Sequence, residues 1–403
     1  MIDFTHRVTD LELNAGAEPA GQLRRRSVYE FDYLPTATRP ISLIMPLEDR
    51  AYRDGELFAV MDMNLPEGFL LAQLRERSPK TPPTKMQLLS LIGSNGIGRL
   101  RFHERGSAVI AREKPVSRQR LLREGSGRRG RIFIELVDAW LSTGAGLSGV
   151  QPKILVADRA TIPVPNLLVK TAGEDYAGLA ANEFLCLEVA RRAGLPIPSH
   201  ELSDDGTLLL LERFDLVGSK RLGFEDLAAL MDLRVGSALS ERKYKGSYEN
   251  VTRLLTLFCT SPDAALAAFF DQLALSVLVR NGDAHLKNFG VLSDNETRWL
   301  APLFDVVTTT LYPYDRGGVQ ITDRTMALRL TSKGSRGYPL FAELVAFGRE
   351  HCRVVDPVER IEALRAAMAQ TLAEARKDER IPRKLLGAMR AEWEESLRAT
   401  RGP

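Results

Sequence analysis

The segment "RNGDAHLKNF" (Arg280–Phe289) directly follows the apolar run "FFDQLALSVLV" (Phe269–Val279). Gly282 interrupts the helical pattern and the β-prone "FGVL" comes next, so we expect a loop here. On this loop Asp283 and Asn288 stand five positions apart. A carboxylate can orient or deprotonate an attacking hydroxyl, and an amide oxygen can bind a magnesium ion carried by nucleotide phosphates. The spacing therefore indicates phosphoryl transfer, with an Asx-rich turn that only caps the helix as the alternative.

The same loop carries two further polar side chains, Lys287 and His285. Lys287 lies four residues after Asp283, where its amine either neutralises the transferring phosphate or stays in solvent. We count Lys287 with Asp283 as a catalytic candidate. His285 has no second His or Cys nearby in the sequence, so we expect it to brace the loop by hydrogen bonds rather than to bind a metal.

A second acid, Asp305, ends the strand-like run in "LAPLFDVVTTT", 22 residues after Asp283. Two acids at the starts of loops beside a pair of strands can bind the same metal–nucleotide complex. Magnesium needs few hard oxygen ligands from the protein, because water and phosphate supply the rest. Asn288 and Asp305 are therefore the predicted magnesium ligands, and an ordinary turn residue at a strand end is the alternative for Asp305.

A glycine-rich stretch, "TGAGLSGVQPK", precedes these acids in the chain. Its Gly144, Gly146 and Gly149 match the pattern G-x-G-x-x-G. A strand follows directly and a βαβ unit does not, which favours a glycine loop over phosphates rather than a dinucleotide site. Ser148 and Gly149 are then candidates for contact with the nucleotide, and a flexible turn is the alternative.

Two further segments carry candidate nucleotide-binding residues. Lys170 ends the strand "NLLVK", where a buried amine needs a phosphate or carboxylate partner. Glu183 in the next helix can supply it, as in the lysine–glutamate pair of protein kinases, whereas a solvated edge lysine is the alternative. In "LLLLERFD", Glu212 and Phe214 follow a buried strand, and the backbone there can bind adenine between two lobes, although a plain core strand explains the pattern equally well.

The composition is typical of an ordinary globular protein. The 403 residues include 44% hydrophobic and 27% charged ones, with a net charge of +3, and this length favours two or three structural units. The three cysteines lie far apart, which excludes a disulfide framework or zinc knuckle and fits a reducing compartment. We find no signal-like leader and no run of membrane-spanning length, so the prediction is a cytoplasmic protein without membrane contact.

The pattern of elements predicts an α+β protein. Residues 1–112 form a small α/β unit, 113–130 a basic linker or loop, 131–215 a β-rich lobe with one helix, and 216–403 a mostly helical lobe. The stretch Ser117–Arg131 carries six arginines and one glutamate. Such a stretch meets phosphate groups or is simply solvated.

In chain order, the glycine loop, strand lysine, helix glutamate, Asp–Asn loop and later acid follow the order of parts in a protein kinase. The sequences of several segments resemble those of the HipA family of serine/threonine kinases, which are the toxins of HipA/HipB-type toxin–antitoxin pairs. The resemblance covers most of the chain and implies a two-lobed protein-kinase-like fold with an extra N-terminal subdomain. Its segments are "AGQLRRRSVYEFDYL", "MNLPEG", "LLSLIGSNGIGRLRF", "GLSGVQPK", "NEF", "ERFD", "EDL" followed by "KY", "NGDAHLKNF", "LAPLFD" and "MALRL".

The resemblance implies roles for the matching positions and makes ATP and Mg²⁺ the cofactors. Asp283 would be the catalytic acid, Asn288 and Asp305 would bind magnesium, and Lys170 would meet the ATP phosphates. The backbones of Glu212 and Phe214 would bind adenine.

The resemblance also implies regulation by self-modification. Family members autophosphorylate a serine in the loop before the V-Q-P-K-like element, which ejects the loop and disables ATP binding. The candidate here is Ser148. Some relatives carry a serine two positions earlier, where this chain has Gly146.

For partners, the resemblance implies a small HipB-like helix-turn-helix antitoxin that is the main DNA reader, and an aminoacyl-tRNA synthetase as protein substrate. Two other functions stay open. One is a small-molecule phosphotransferase, because aminoglycoside kinases share the Asp–Asn loop, and the other is a catalytically silent kinase fold that serves as a repressor subunit. The glycine loop and the long N-terminal unit argue against the first. The second is disfavoured because Asp283, Asn288, Asp305 and Lys170 are all intact.

Overall fold

The computed structural model describes residues 4–77, 82–93, 95–106, 116–126, 132, 135–136, 153–156, 166–171, 176–218, 220–235 and 237–399. Strands dominate its first half and helices its second half. The elements fall into three consecutive parts that meet around the Asp–Asn loop.

The first part, called the N-terminal unit (residues 4–103), is built on a five-stranded antiparallel sheet in the order β4-β3-β2-β1-β5. Alternate residues of β1 and β3 are buried, as expected for a sheet with one covered face. Thr84 and Gln87 form a capping box that starts its third helix. The elements are β1 Asp10–Ala15, β2 Glu18–Arg25, β3 Tyr29–Tyr33, β4 Ala51–Asp54, α1 Ala59–Asp62, α2 Gly68–Arg77, α3 Lys85–Ile92 and β5 Leu100–His103.

The second part is a four-stranded antiparallel sheet in the order β6-β7-β9-β8, with one long helix packed on it. Lys170 lies opposite Lys153 and Leu209 in the strand register. The elements are α4 Arg118–Glu124, β6 Lys153–Val156, β7 Leu167–Thr171, α5 Leu179–Arg192, β8 His200–Leu202 and β9 Leu208–Glu212.

The third part is mostly helical but contains a small sheet, β12-β13-β14, that frames the Asp–Asn loop. Asp226 at the end of β12 pairs in register with Gly290 at the start of β13. The elements are β10 Leu216–Val217, β11 Lys220–Arg221, β12 Gly223–Asp226, α6 Leu227–Leu230, a 3₁₀ segment Ser237–Tyr244, α7 Tyr248–Phe258, α8 Pro262–Leu278, a 3₁₀ turn Leu286–Asn288, β13 Gly290–Ser293, β14 Arg298–Leu300, a 3₁₀ turn Thr309–Leu311, β15 Tyr314–Arg316, β16 Val319–Ile321, α9 Phe341–Glu350, α10 Pro357–Ala375 and α11 Arg383–Ala399.

Two large hydrophobic cores hold these parts together. One core joins α5 to the helices of the third part. The other contains Phe31 and Met61 of the N-terminal unit together with Ile154, Val169 and Leu210 of the four-stranded sheet. The N-terminal unit therefore shares its core with the sheet that carries Lys170, so that burial of apolar surface fixes the two against each other.

Two local features differ from the sequence interpretation. Residues 118–124 of the stretch predicted as a basic linker or loop form α4, in which Arg118 pairs with Glu201 and Glu212. In the lobe 216–403, which is mostly helical as expected, β13 falls on the β-prone segment after the loop, whereas β12 was not expected, because a strand of four residues is too short to show a period of two. The exact domain boundaries stay a prediction.

Candidate active site

A buried lysine with two carboxylates forms the first half of the candidate site. The Lys170 side chain at the end of β7 is only 1% exposed. Its Nζ lies 2.5 Å from Glu183 Oε1 and also pairs with Asp305. Burial by itself disfavours the ammonium form, but the two carboxylates outweigh it and raise the pKa of Lys170 above its ordinary value. The lysine is thus a fixed positive charge, and we call Lys170, Glu183 and Asp305 the Lys170 cluster.

Asp305 reaches this cluster from a constrained backbone. Its φ is +54°, the left-handed region that residues with a Cβ rarely adopt. Strain of this kind costs on the order of 1 kcal/mol and persists where the surrounding structure imposes it. The preceding Phe304 stacks on Phe214 with ring centroids 5.4 Å apart, which anchors the turn. The packing therefore aims the Asp305 carboxylate at Lys170.

The second half of the candidate site is the Asp–Asn loop between α8 and β13. The Asp283 side chain is 48% exposed, and its Oδ1 accepts a hydrogen bond of 2.9 Å from the Tyr244 hydroxyl. Asn281 Oδ1 accepts from the Asp283 backbone N–H at 3.1 Å, which closes the turn before the carboxylate. Asp283 is thus held from one side and open to solvent on the other, as a group that receives a substrate must be.

Asn288 completes the loop. Its Nδ2 donates to the backbone carbonyl of Asp283 at 2.7 Å, and its backbone N–H donates to the carbonyl of His285 at 2.9 Å. Because the amide nitrogen is used within the loop, the amide oxygen is the atom of Asn288 that can serve a metal. This oxygen and the Asp305 carboxylate are hard ligands of the kind magnesium prefers, so the residues present fit the predicted ion.

His285 lies buried under the loop. Burial lowers its pKa to about 4, partly offset by Asp283, so the ring is neutral near pH 7. The ring meets Tyr244 edge-on at 5.3 Å, while its Nε2 is 3.7 Å from Asp283 Oδ1, too far for a hydrogen bond. His285 therefore braces the loop in two ways, by packing of its ring and by hydrogen bonds of its backbone, whose N–H donates to the Asp283 carbonyl at 2.7 Å.

Lys287 is also buried, with its side chain 9% exposed. Its Nζ lies 2.6 Å from Glu67 Oε1 of the N-terminal unit. Burial opposes the charge, but Glu67 and then Asp226 outweigh it and raise the pKa of Lys287. The alternative that the Lys287 amine stays in solvent is therefore wrong. Its catalytic role stays a prediction.

The connection after β9 carries the predicted adenine-binding residues. Glu212 is exposed, and its Oε1 pairs with Arg118 Nη1 at 2.6 Å. Phe214 packs between Phe224 and Phe304. The backbone N–H of Arg213 donates to the carbonyl of Asn166 at 3.0 Å, so that this connection stays close to the β-rich lobe. Ser148 and Gly149, predicted to contact the nucleotide, lie outside the described residues.

The structure adds residues to the site that sequence reasoning did not connect with it. Besides Asp283, Lys287 and Asp305, which the sequence already suggested, Lys243 acts electrostatically on His285. Tyr244 and Glu67 were quoted only as parts of motifs, without a role at the site. The "KY" and "MNLPEG" segments were a signal for both, but only the folded chain shows that they contact the loop.

Two kinds of feature are absent from the described residues. They contain no group of three or more His, Cys, Asp or Glu side chains arranged to hold a metal. None of the described helices is both long enough and apolar enough to cross a bilayer.

The chain is similar in sequence to one family of known proteins. Residues 145–378 match the family model of the HipA-like C-terminal domain, and residues 11–103 match that of the HipA N-terminal domain. "Putative kinase Y4dM" of Sinorhizobium fredii is 26% identical over 346 residues, which is 76% of this chain and 78% of that protein. A "Putative kinase" of Haemophilus influenzae is 26% identical over 186 residues, which is 42% of this chain and 54% of that protein.

Among solved structures, the chain resembles HipA of Shewanella oneidensis MR-1, determined in complex with HipB and its operator DNA. The TM-score is 0.70 with 17% sequence identity, and the match covers 96% of this chain and 97% of that chain. The predicted α+β fold, two-lobed and protein-kinase-like with an extra N-terminal subdomain, is confirmed by this similarity.

Proposed function

Because this chain belongs to the HipA family, we propose that it is an ATP- and Mg²⁺-dependent serine/threonine protein kinase. The observation that carries the proposal is the Lys170 cluster, in which a strand lysine pairs with a helix glutamate and with Asp305. Kinases use this lysine–glutamate pair to hold the α- and β-phosphates. An ion pair that only stabilised the fold would not need a third partner with a strained backbone, as Asp305 has.

The roles proposed for the side chains follow from their settings. Lys170 binds nucleotide phosphates, and Glu183 keeps its amine oriented. Asn288 and Asp305 hold the magnesium ion, which neutralises charge on the phosphates when it is bound. Asp283, open to solvent, accepts the proton of the substrate hydroxyl.

The proposed setting is a toxin–antitoxin pair in the cytoplasm. The HipA structure that this chain resembles contains HipB and operator DNA, so we propose a HipB-like helix-turn-helix antitoxin as partner and DNA contact mainly through that antitoxin. By family resemblance, an aminoacyl-tRNA synthetase is the proposed protein substrate, and Ser148 is the proposed site of autophosphorylation. The adenine is proposed to bind the backbones of Glu212 and Phe214.

Incubation with Mg²⁺ and labelled ATP, followed by intact-mass measurement, tests the proposal. We expect one added phosphate on the wild-type chain, none on Asp283→Ala, and none on Ser148→Ala. The Ser148→Ala chain should still phosphorylate a protein substrate, and expression of Asp283→Ala should not arrest growth.

Three results would point elsewhere. A wild-type chain that gains no phosphate and modifies no protein favours a catalytically silent fold. Turnover of a small hydroxylated compound alone favours a small-molecule phosphotransferase. Equal toxicity of Asp283→Ala and the wild type excludes kinase activity as the cause of toxicity.

A further inference from the structure

The ion pair between Lys287 and Glu67 joins the Asp–Asn loop to a part of the chain 220 residues away. Both side chains are nearly buried, 9% and 10% exposed, and their charged atoms are 2.6 Å apart. Two charges removed from water to this extent are costly, and a buried ion pair often adds little net stability over apolar residues of similar size. A contribution to stability alone is therefore a weak explanation of this pair.

The position of Lys287 in the loop suggests what the pair does. Lys287 is the middle residue of the 3₁₀ turn Leu286–Asn288 and precedes Asn288 directly. Asn288 is in turn tied by its amide to the Asp283 carbonyl at 2.7 Å. The loop is thus a small closed unit, and an ion pair that holds the Lys287 side chain also holds Asn288 and Asp283 in position.

The surroundings of Lys287 reinforce this anchor. Asp226, which acts electrostatically on Lys287, caps α6 by accepting from the Ala229 backbone N–H at 2.7 Å. The first residue of that helix, Leu227, donates its N–H to the carbonyl of Phe289 at 3.0 Å. On the side of the N-terminal unit, Asp62 accepts from the Val235 backbone N–H at 2.9 Å. We call Lys287, Glu67, Asp226 and Asp62 the Lys287 cluster.

We propose that Glu67 is a positioning residue for the catalytic loop, acting through Lys287, so that the N-terminal unit is part of the catalytic apparatus. This inference deepens the proposed kinase function and rests on it for its kinetic test. With its amine held by Glu67, Lys287 orients the loop and does not bind the transferred phosphate. The Lys170 cluster lies on other elements and does not depend on this pair.

Glu67→Gln tests the proposal, because it removes the charge and keeps the shape. We expect kcat to fall about 10- to 100-fold, the effect of small misplacements of reacting groups. The KM for ATP should change less than kcat, because Lys170 and Asp305 lie on other elements and only Asn288 moves with the loop. Lys287→Met should give the same loss, and the double variant should be no worse than either single one.

Asp54→Asn is the matched control. Asp54 pairs with Arg234, which is also buried, so that this ion pair joins the same two parts of the chain without touching the loop. We expect kcat of Asp54→Asn to equal that of the wild type. An equal loss in both variants would show that general loosening of the N-terminal unit is responsible. Unchanged kcat in Glu67→Gln, or additive losses in the double variant, would overturn the proposal.

A measurement independent of catalysis separates this proposal from the proposed function. Hydrogen–deuterium exchange of residues 281–289 should accelerate in Glu67→Gln and stay unchanged in Asp54→Asn. A wild-type chain without turnover would remove the kinase proposal, whereas equal exchange in all three chains would remove this one. If Glu67→Gln does not fold, Glu67→Asp keeps the charge but shortens its reach, and faster exchange confined to 281–289 is then expected.

Discussion

The two buried lysines of the candidate site, Lys170 and Lys287, differ in where their partners come from. Lys170 is paired with Glu183, 13 residues away, and with Asp305. Lys287 is paired with Glu67 of the N-terminal unit. Both amines are kept charged by carboxylates that outweigh the cost of burial.

This difference separates two uses of the same chemistry. Asp305 is also a proposed magnesium ligand, so the Lys170 cluster contains groups that must exchange partners when nucleotide and metal bind. The Lys287 cluster contains a helix cap and a link to the N-terminal unit, which are structural contacts. Residue type and burial alone therefore do not show which lysine takes part in chemistry. The other contacts of the carboxylates show it, because Asp305 is a proposed metal ligand and the partners of Lys287 make structural contacts.

The largest effect is expected at Lys170. Lys170→Met leaves Glu183 and Asp305 without their cation and removes the proposed phosphate contact. We expect turnover to fall about a thousandfold, as when a preorganised electrostatic group is lost, together with loss of nucleotide binding measured by calorimetry. Lys245→Met, at an exposed lysine, is the control. Nucleotide affinity that survives in Lys170→Met would contradict the role assigned to this cluster.

The next effect concerns the pH dependence of the Lys287 cluster. Burial raises the pKa of Asp226 from 3.8 to about 6, although Lys287 acts in the opposite direction. The pKa is raised on folding, so the stabilising contribution of this group is complete below pH 3.8 and is lost as the pH rises through 6. The loss is on the order of 3 kcal/mol.

Asp226→Asn removes this titration and keeps the helix cap, because Asn is as good an N-cap as Asp. In denaturant titrations between pH 4 and 8, the free energy of unfolding of the variant should gain on that of the wild type as the pH rises, and then level off above pH 7. Glu225, whose pKa burial raises to about 7, titrates in both chains, so that only the small part of its shift that comes from Asp226 enters the difference. Parallel curves would show that burial does not raise the pKa of Asp226.

The smallest effect is expected at Tyr244, which holds Asp283 between the two clusters. Tyr244→Phe removes the 2.9 Å hydrogen bond to the carboxylate. Because Asp283 is partly exposed, water replaces some of this bond, and we expect kcat to fall only about tenfold. Tyr314→Phe, on exposed β15, is the control. A loss as large as that of Lys170→Met would mean that Tyr244 does more than orient Asp283.

Much of the Lys170 cluster could be predicted from sequence. Lys170 ends an apolar strand, and Glu183 lies on the next predicted helix, so that local pattern and the need to pair a buried amine suggest the contact. The observed distance of 2.5 Å agrees with it. Asp305 was recognised as a site residue, but its pairing with Lys170 was not foreseen, since it depends on a left-handed turn that no neighbouring glycine announces.

The Lys287 cluster could not be predicted in the same way. Glu67 lies in a different unit, and no periodicity or spacing relates it to the loop. The shared core of the N-terminal unit and the four-stranded sheet was equally hidden, because each strand shows only that one face is buried and not what covers it.

The sequence by itself determined the order of the parts, the α+β class and the residues that could carry phosphoryl transfer, because these follow from local periodicity, turn chemistry and side-chain type. Only the tertiary structure decided which carboxylate each lysine meets. Lys287 and Glu67 come together through packing of apolar surfaces that are far apart in the chain, and a charge that leaves water takes the partner which that packing supplies.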